Sequence, residues 1–168
     1  MSNKIEFYKL IGMLATRYSD LEYRAIRILE NLIDHNDTLV GGIVASDISF
    51  LKCITLIAKI SKVRFAHSPF LRGALTSYCK RLHGVRGERN LFVHGLWDME
   101  HAPDDSPIVV CQSMRWKSTA NTLGWMREKQ KVWHIDDLKA KIAEINILLN
   151  DTHHIEQTIV QYMQSQNK

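Results

Sequence analysis

The chain lacks any apolar run of roughly 18 residues or more, the length a membrane helix needs. Its stickiest stretch, Ile48 to Ile60, is interrupted by Ser49, Lys52 and Lys59. No membrane partner is therefore expected. The N-terminus, Met-Ser-Asn-Lys-Ile-Glu-Phe, lacks the basic start, apolar middle and small-residue cleavage site of a secretion signal, which predicts a cytoplasmic protein. Cysteine is scarce and odd in number: Cys53, Cys79 and Cys111 are widely spaced and form no Cys-x-x-Cys pair, the pattern of buried free thiols rather than a disulfide or zinc framework. A Gly-rich phosphate loop, a Gly-x-Ser-x-Gly elbow and a His-Glu-x-x-His pair are all missing, so the common nucleotide-triphosphate, serine-hydrolase and zinc-protease signatures are not met. Internal repeats and low-complexity segments are missing too.

Acidic side chains are nearly absent from one long stretch. Between Lys59 and Asn90, Lys59, Lys62, Arg64, Arg72, Lys80, Arg81, Arg86 and Arg89 face a single acid, Glu88. With a formal charge of +4 and a pI near 9.0 over 168 residues, this local excess suits an anionic partner. The length fits one domain, residues 1–168, with one core.

Apolar spacing predicts a mainly α protein, a bundle of four to five helices with a small β-hairpin inserted before the C-terminal helix. Ile5, Tyr8, Ile11, Ala15 and Tyr18, then Leu21, Ala25, Ile28, Leu29, Leu32 and Ile33, make one long helix or two with a bend near Ser19-Asp20. His35-Asn36-Asp37 ends it, and Gly41-Gly42 is expected to form the turn. Ser46-Asp47 offers an N-cap for a second helix reaching about Phe65, apolar on most sides and so expected at the centre. Ser68-Pro69 opens a third. Gly84 and Gly87 each cost about 1 kcal/mol inside a helix relative to Ala, which predicts a break there and a fresh segment from about Glu88 to Trp97.

Met99 to Pro107 reads as an acidic loop carrying, with Asp98, Glu100, Asp104 and Asp105. Ile108 to Cys111 and Gln130 to Trp133 look like strands of a hairpin insertion spanning about residues 107–134, with Asn121 to Gly124 as the connection. Asp136-Asp137 caps the last helix, whose stripe runs from Leu138 through Ile145 and Leu149 to Tyr162.

The chemistry concentrates in Arg86-Gly87-Glu88-Arg89-Asn90-Leu91-Phe92-Val93-His94-Gly95-Leu96-Trp97-Asp98. Asn90 and His94, four apart, share a helical face, so the amide is placed to hydrogen-bond the imidazole. Arg89 and His94, five apart, differ by about 140° on a straight helix. Either Arg89 swings over from a frayed turn after Gly87, or its partner comes from a second copy. A guanidinium is a permanent planar fork for phosphate oxygens, and histidine titrates near neutrality and can pass a proton to or from a ribose hydroxyl.

Arg89-Asn90-Leu91-Phe92-Val93-His94 resembles the signature of HEPN domains: an arginine, a polar residue, and a histidine after four to six positions. Ile11-Gly12-Met13 and Tyr18-Ser19-Asp20-Leu21-Glu22 add a softer likeness to the opening of some bacterial HEPN-like proteins. The resemblance covers about the first hundred residues and leaves the hairpin and last helix unexplained. It implies a helical homodimer that binds RNA, found in toxin–antitoxin, antiphage or RNA-processing settings where an antitoxin or other protein is a partner. It implies a metal-independent endoribonuclease with no cofactor, in which Arg89 stabilises charge on the phosphate, Asn90 fills the polar position and His94 is general acid or base. The ribose 2′-hydroxyl would attack, leaving a 2′,3′-cyclic phosphate. Many HEPN-like domains are non-catalytic, so the alternative is a module that binds a nucleotide, a nucleic acid or a protein. A third reading makes Arg89 and His94 structural parts of a helical dimerisation domain.

The bare spacing is cheap. Ten arginines and eight histidines in 168 residues place about 0.5 such pairs by chance, and Arg127 to His134 is a decoy on an expected strand. Lys80, Arg81, Arg86, Arg115 and Lys117 are the candidate nucleic-acid contacts. Trp116 and Trp125 lie among Arg115, Lys117, Arg127, Lys129 and Lys131, a mix of rings and cations that stacks on single-stranded bases or simply packs on the bundle. Cys79 and His83 share a helical face at a ligand-compatible spacing, but no second pair completes a zinc site. His153-His154 reads as a solvated turn, and His94 bonded to Asn90 in a core is the bland counterpart of the catalytic reading.

Overall fold

The computed structural model describes residues 2–34, 37–99, 105–119 and 122–166; of residues 38, 115–119, 122–123, 125 and 127–129 it describes the backbone alone. Five helices, α1 (Asn3–Ile33), α2 (Thr38–Ala45), α3 (Phe50–Arg64), α4 (Pro69–His94) and α5 (Ile135–Gln166), enclose in sequence three strands, β1 (Leu96–Trp97), β2 (Ile108–Thr119) and β3 (Thr122–His134). The fold is thus mainly helical, with a small antiparallel sheet of order β1-β2-β3 before the last helix. Contacts gather in two units. One holds residues 1–17 and 87–144, the other residues 18–86 and 145–168.

The second unit is all helix. Leu21, Ile28, Leu29, Ile54, Ile57, Leu75 and Leu82 are fully buried in it, the 3.6-residue stripes the sequence displays. Three expectations fail here. Gly41-Gly42 makes no turn but lies within α2, which Asp37 caps by accepting from Leu39 and Val40 N–H. The glycine serves close approach: a Cβ on Gly41 would stand 2.8 Å from the Glu30 carbonyl oxygen. Nor is α3 wrapped on all sides, since Leu51 and Val63 are exposed while Phe50, Cys53, Ile54, Ile57 and Ser61 are buried. Its N-cap is Ser49, accepting from Lys52 N–H, rather than Ser46-Asp47. Burial pushes the thiols of Cys53 and Cys79 up to about 12 and about 11.

In the first unit, Phe7, Leu10 and Leu14 of α1 are buried, as are Phe92, Val109, Cys111, Trp133, Leu138 and Ile142. The strands run far longer than the four-residue apolar cores of their sequence, because cross-strand pairing continues from Ile108↔His134 out to Thr119↔Thr122. The register shifts once between Ser113 and Met114, a bulge of the kind that bends a hairpin. Residues 120–121 are outside the described residues, and Gly124, expected in the connection, lies within β3 with φ +151°. The expected loop residues Glu100 and Asp104 also fall outside the described residues, as do His35 and Asn36. Asp105 offers its carbonyl to the Asn3 amide at 2.9 Å. Among the described residues no helix is long and apolar enough to cross a membrane.

Candidate active site

The motif sits on the last two turns of α4. That helix runs without interruption from Pro69 to His94, through Gly84 and Gly87, so the expected break and fresh segment do not exist. Nothing lies within 4 Å of a Cβ placed on either glycine; their cost is met by the continuous hydrogen-bond ladder on both sides. The helix stops at His94, three residues earlier than anticipated, and Leu96-Trp97 enter the sheet against Gln112 and Cys111. Gly95 makes this stop possible. Its N–H closes the last turn on the Leu91 carbonyl at 2.8 Å, and a Cβ there would stand 2.2 Å from that oxygen and 2.5 Å from Cys111 Sγ.

The end of the helix is held from three directions. Phe92 is buried between two indoles, with ring centroids 5.3 Å from Trp97 and 4.8 Å from Trp133, and Trp97 Nε1 donates to the Phe92 carbonyl at 3.3 Å. Cys111 Sγ donates to the Leu91 carbonyl at 3.4 Å, and burial pushes that thiol up to about 11. Glu88 reaches Lys131 of β3 at 3.3 Å with one oxygen and Lys141 of α5 at 2.7 Å with the other. Burial would lower the Lys141 ammonium, but Glu144 and Glu88 outweigh it and hold it above its ordinary value. Lys131 also sits 3.6 Å over the Trp133 ring.

On this anchored turn Arg89 and His94 meet within one chain. Arg89 Nη1 lies 3.4 Å from His94 Nε2 and 3.3 Å from Asn90 Oδ1. A guanidinium has no acceptor, so a hydrogen bond between the two needs His94 Nε2 as the accepting nitrogen. Two sequence expectations change. Asn90 bonds the guanidinium instead of the imidazole, and neither a kink nor a second copy is needed to bring Arg89 to His94. The 140° offset is bridged by the length of the arginine stem and by the position of His94 as the last helical residue, where no following turn confines its ring. Both contacts are long for hydrogen bonds, and His94 and Asn90 are exposed, so an incoming anion can displace them at small cost. His94 as a buried core histidine is thereby overturned.

The remaining candidates separate. Lys80 is exposed and lines an open groove of about 650 Å³ together with Lys62, Arg72, Thr76 and Ser77. Arg81, its neighbour, is committed to an ion pair with Asp151. Arg86 is half-buried, and its Nε has no hydrogen-bond partner among the described residues. Arg115 and Lys117 lie on β2 opposite Met126 and Gly124, but their side chains are outside the described residues, as are those of Trp116, Trp125, Arg127 and Lys129. Cys79 is buried and His83 exposed, and no cluster of three or more His, Cys, Asp or Glu side chains suited to a metal occurs among the described residues. His153 and His154 lie exposed within α5, not in a turn.

Sequence reasoning missed Glu88, Lys131 and Lys141 as the brace behind the motif. The one visible signal was Glu88 itself, a single acid in a basic run. It also missed Phe92 as the packed centre of the turn, between Trp97 and Trp133. No protein-family model, curated protein or solved structure matches the chain.

Proposed function

We propose that this chain is a HEPN-like RNA-binding protein that cleaves RNA without a metal ion, using Arg89, Asn90 and His94. The observation that carries the reading is the Arg89–His94 contact of 3.4 Å on an exposed, braced helix end. An arriving phosphodiester takes the guanidinium from the imidazole, which frees Nε2 next to the bound anion. Nε2 then accepts the proton of the ribose 2′-hydroxyl as that oxygen attacks phosphorus, and Arg89 bears the charge growing on the non-bridging oxygens. The bond to the 5′-oxygen breaks, and that oxygen takes a proton from imidazolium or water. The products are a 2′,3′-cyclic phosphate and a 5′-hydroxyl.

Self-association is part of the proposal. α2 carries no charged residue, and its Leu39 and Ile43 are 72% and 67% exposed, with Val40 and Val44 beside them. An uncharged face of this kind is a contact surface more often than a solvated one. Light scattering should report twice the chain mass, and Ile43→Asp should return it to a monomer; a wild-type monomer at micromolar concentration removes this part.

The decisive experiment incubates purified protein with mixed RNA in excess chelator. Cleavage leaving cyclic phosphate ends is expected, falling by a factor of about 100 or more in His94→Ala with an unchanged melting curve. The contact that occupies Nε2 also favours a second reading, a non-catalytic HEPN-like module in which Arg89 and His94 bind an anion together. Wild-type protein that binds RNA and leaves it intact would establish that module in place of the nuclease.

A further inference from the structure

Residues 48–87 contain no Asp or Glu. Eight Lys and Arg side chains occur in that stretch, and they divide by commitment. Arg64 donates to the Ile33 carbonyl at 2.7 Å and Arg81 pairs with Asp151. Lys62, Arg72 and Lys80 have no ion pair among the described residues, and these three line the same groove.

The groove is a line rather than a pocket. Arg72, Thr76 and Lys80 succeed one another at four-residue spacing along α4, which places Arg72 and Lys80 about 12 Å apart along the axis. Lys62 faces them from the last turn of α3. A single phosphate cannot meet cations spread over that length, but consecutive phosphates of one strand can. Thr76 spends its hydroxyl hydrogen on the Arg72 carbonyl at 2.8 Å, which leaves its oxygen only able to accept, as from a ribose hydroxyl, whereas the exposed Ser77 hydroxyl can donate to a phosphate oxygen. Phe70, 79% exposed, shares the helical face of Gly73 and Ser77 at the spacing i, i+3, i+7. Phe70 is not itself a lining residue of the groove but stands in solvent on its Ser77 side, and a ring flanking unpaired cations is the combination that binds single strands, with cations tracking the backbone and the ring beneath a base.

We infer that the groove formed by the last turn of α3 and the first half of α4 binds the backbone of single-stranded RNA. Lys62, Arg72 and Lys80 meet phosphates and Phe70 stacks on a base. The inference rests on RNA being the ligand of this protein, and it names a surface other than the Arg89–His94 pair. An acidic peptide or anionic membrane would use the cations but give Phe70 no base to stack on.

The test titrates a fluorescent, uncleavable 2′-O-methyl oligonucleotide across a range of salt concentrations. Wild type should show a linear fall of log affinity with log salt. Lys62→Ala/Arg72→Ala/Lys80→Ala should lower the magnitude of that slope by about 2, because each phosphate contact on a single strand is worth about 0.7. Phe70→Ala should bind about tenfold more weakly with the slope unchanged. Restoring Lys80→Arg within the triple variant should recover part of the slope, which separates lost contacts from lost structure. A triple variant with the wild-type slope, or Phe70→Ala with wild-type affinity, overturns the inference even if RNA is cleaved. So does a groove variant that loses binding to phosphatidylserine vesicles alone. Wild-type protein that neither cleaves nor binds RNA fails the nuclease reading and the groove together, whereas cleavage lost only in His94→Ala leaves the groove standing.

Discussion

Two stretches of α4 make opposite use of charge. From Arg72 to Lys80 the cations are exposed and carry no ion pair among the described residues, whereas from Glu88 to His94 the polar side chains hold one another: Glu88 on two lysines, Arg89 on Asn90 and His94. A surface that captures a polyanion gains from uncompensated charge, since any internal partner would have to be displaced first. A site that performs a proton transfer gains from fixed geometry, because a small misplacement is costly in rate. One helix supplies both, and the aromatic clamp around Phe92 marks where the second regime holds.

The largest effect should come from removing that clamp. Phe92→Ala should destabilise the protein by about 3–5 kcal/mol in denaturant titrations and abolish any cleavage, while the salt slope of oligonucleotide binding stays at its wild-type value. A slope that collapses with Phe92→Ala would erase the distinction between the two stretches.

Glycine substitutions locate the boundary between them. Gly87→Ala meets open space within a continuous helix and should gain about 1 kcal/mol. Gly95→Ala meets the Leu91 carbonyl and Cys111 Sγ and should lose about 1–3 kcal/mol. If both variants melt at the wild-type temperature, the tight packing behind His94 is not what holds it.

An effect confined to alkaline solution, and absent at neutral pH, is a pH dependence shared by both halves, from Cys79 on α4 and Cys111 behind Leu91, together with Cys53. Burial raises all three above their ordinary 9.0, to about 11 for Cys79 and Cys111 and about 12 for Cys53. Above pH 9 the unfolded chain loses thiol protons that the folded chain keeps, so this contribution is complete below pH 9 and declines as pH rises towards 11. The decline is at most about 1.4 kcal/mol per pH unit for each thiol. Melting curves between pH 8 and 11 should flatten when all three are replaced by Ala, and the thiols of the folded protein should resist alkylation at pH 7.

Much of the helical framework was legible in apolar spacing. Leu21 through Leu32 and Leu138 through Ile159 declare their buried faces, and Pro69 and Asp137 mark starts that the structure keeps, the latter accepting from His134 N–H at 3.1 Å. The motif itself was legible as residue types at a spacing. Glycine was misread at Gly41-Gly42, at Gly84 and Gly87, and at Gly124, each of which lies inside a helix or strand. Its local cost is the same at Gly41, Gly84 and Gly95, but its consequence depends on what stands opposite: the Glu30 backbone, open space, or a sulfur.

By itself the sequence determined the mainly α class, the helical stripes, the hairpin before the last helix and the basic stretch, because these follow from periodicity and composition within a few turns of chain. Only tertiary structure decided that α4 runs unbroken to His94, that Arg89 reaches His94 within one chain, and which cations are paired. Those outcomes depend on partners 43 residues away for Glu88 and 70 for Arg81, and no local pattern carries the distance between them.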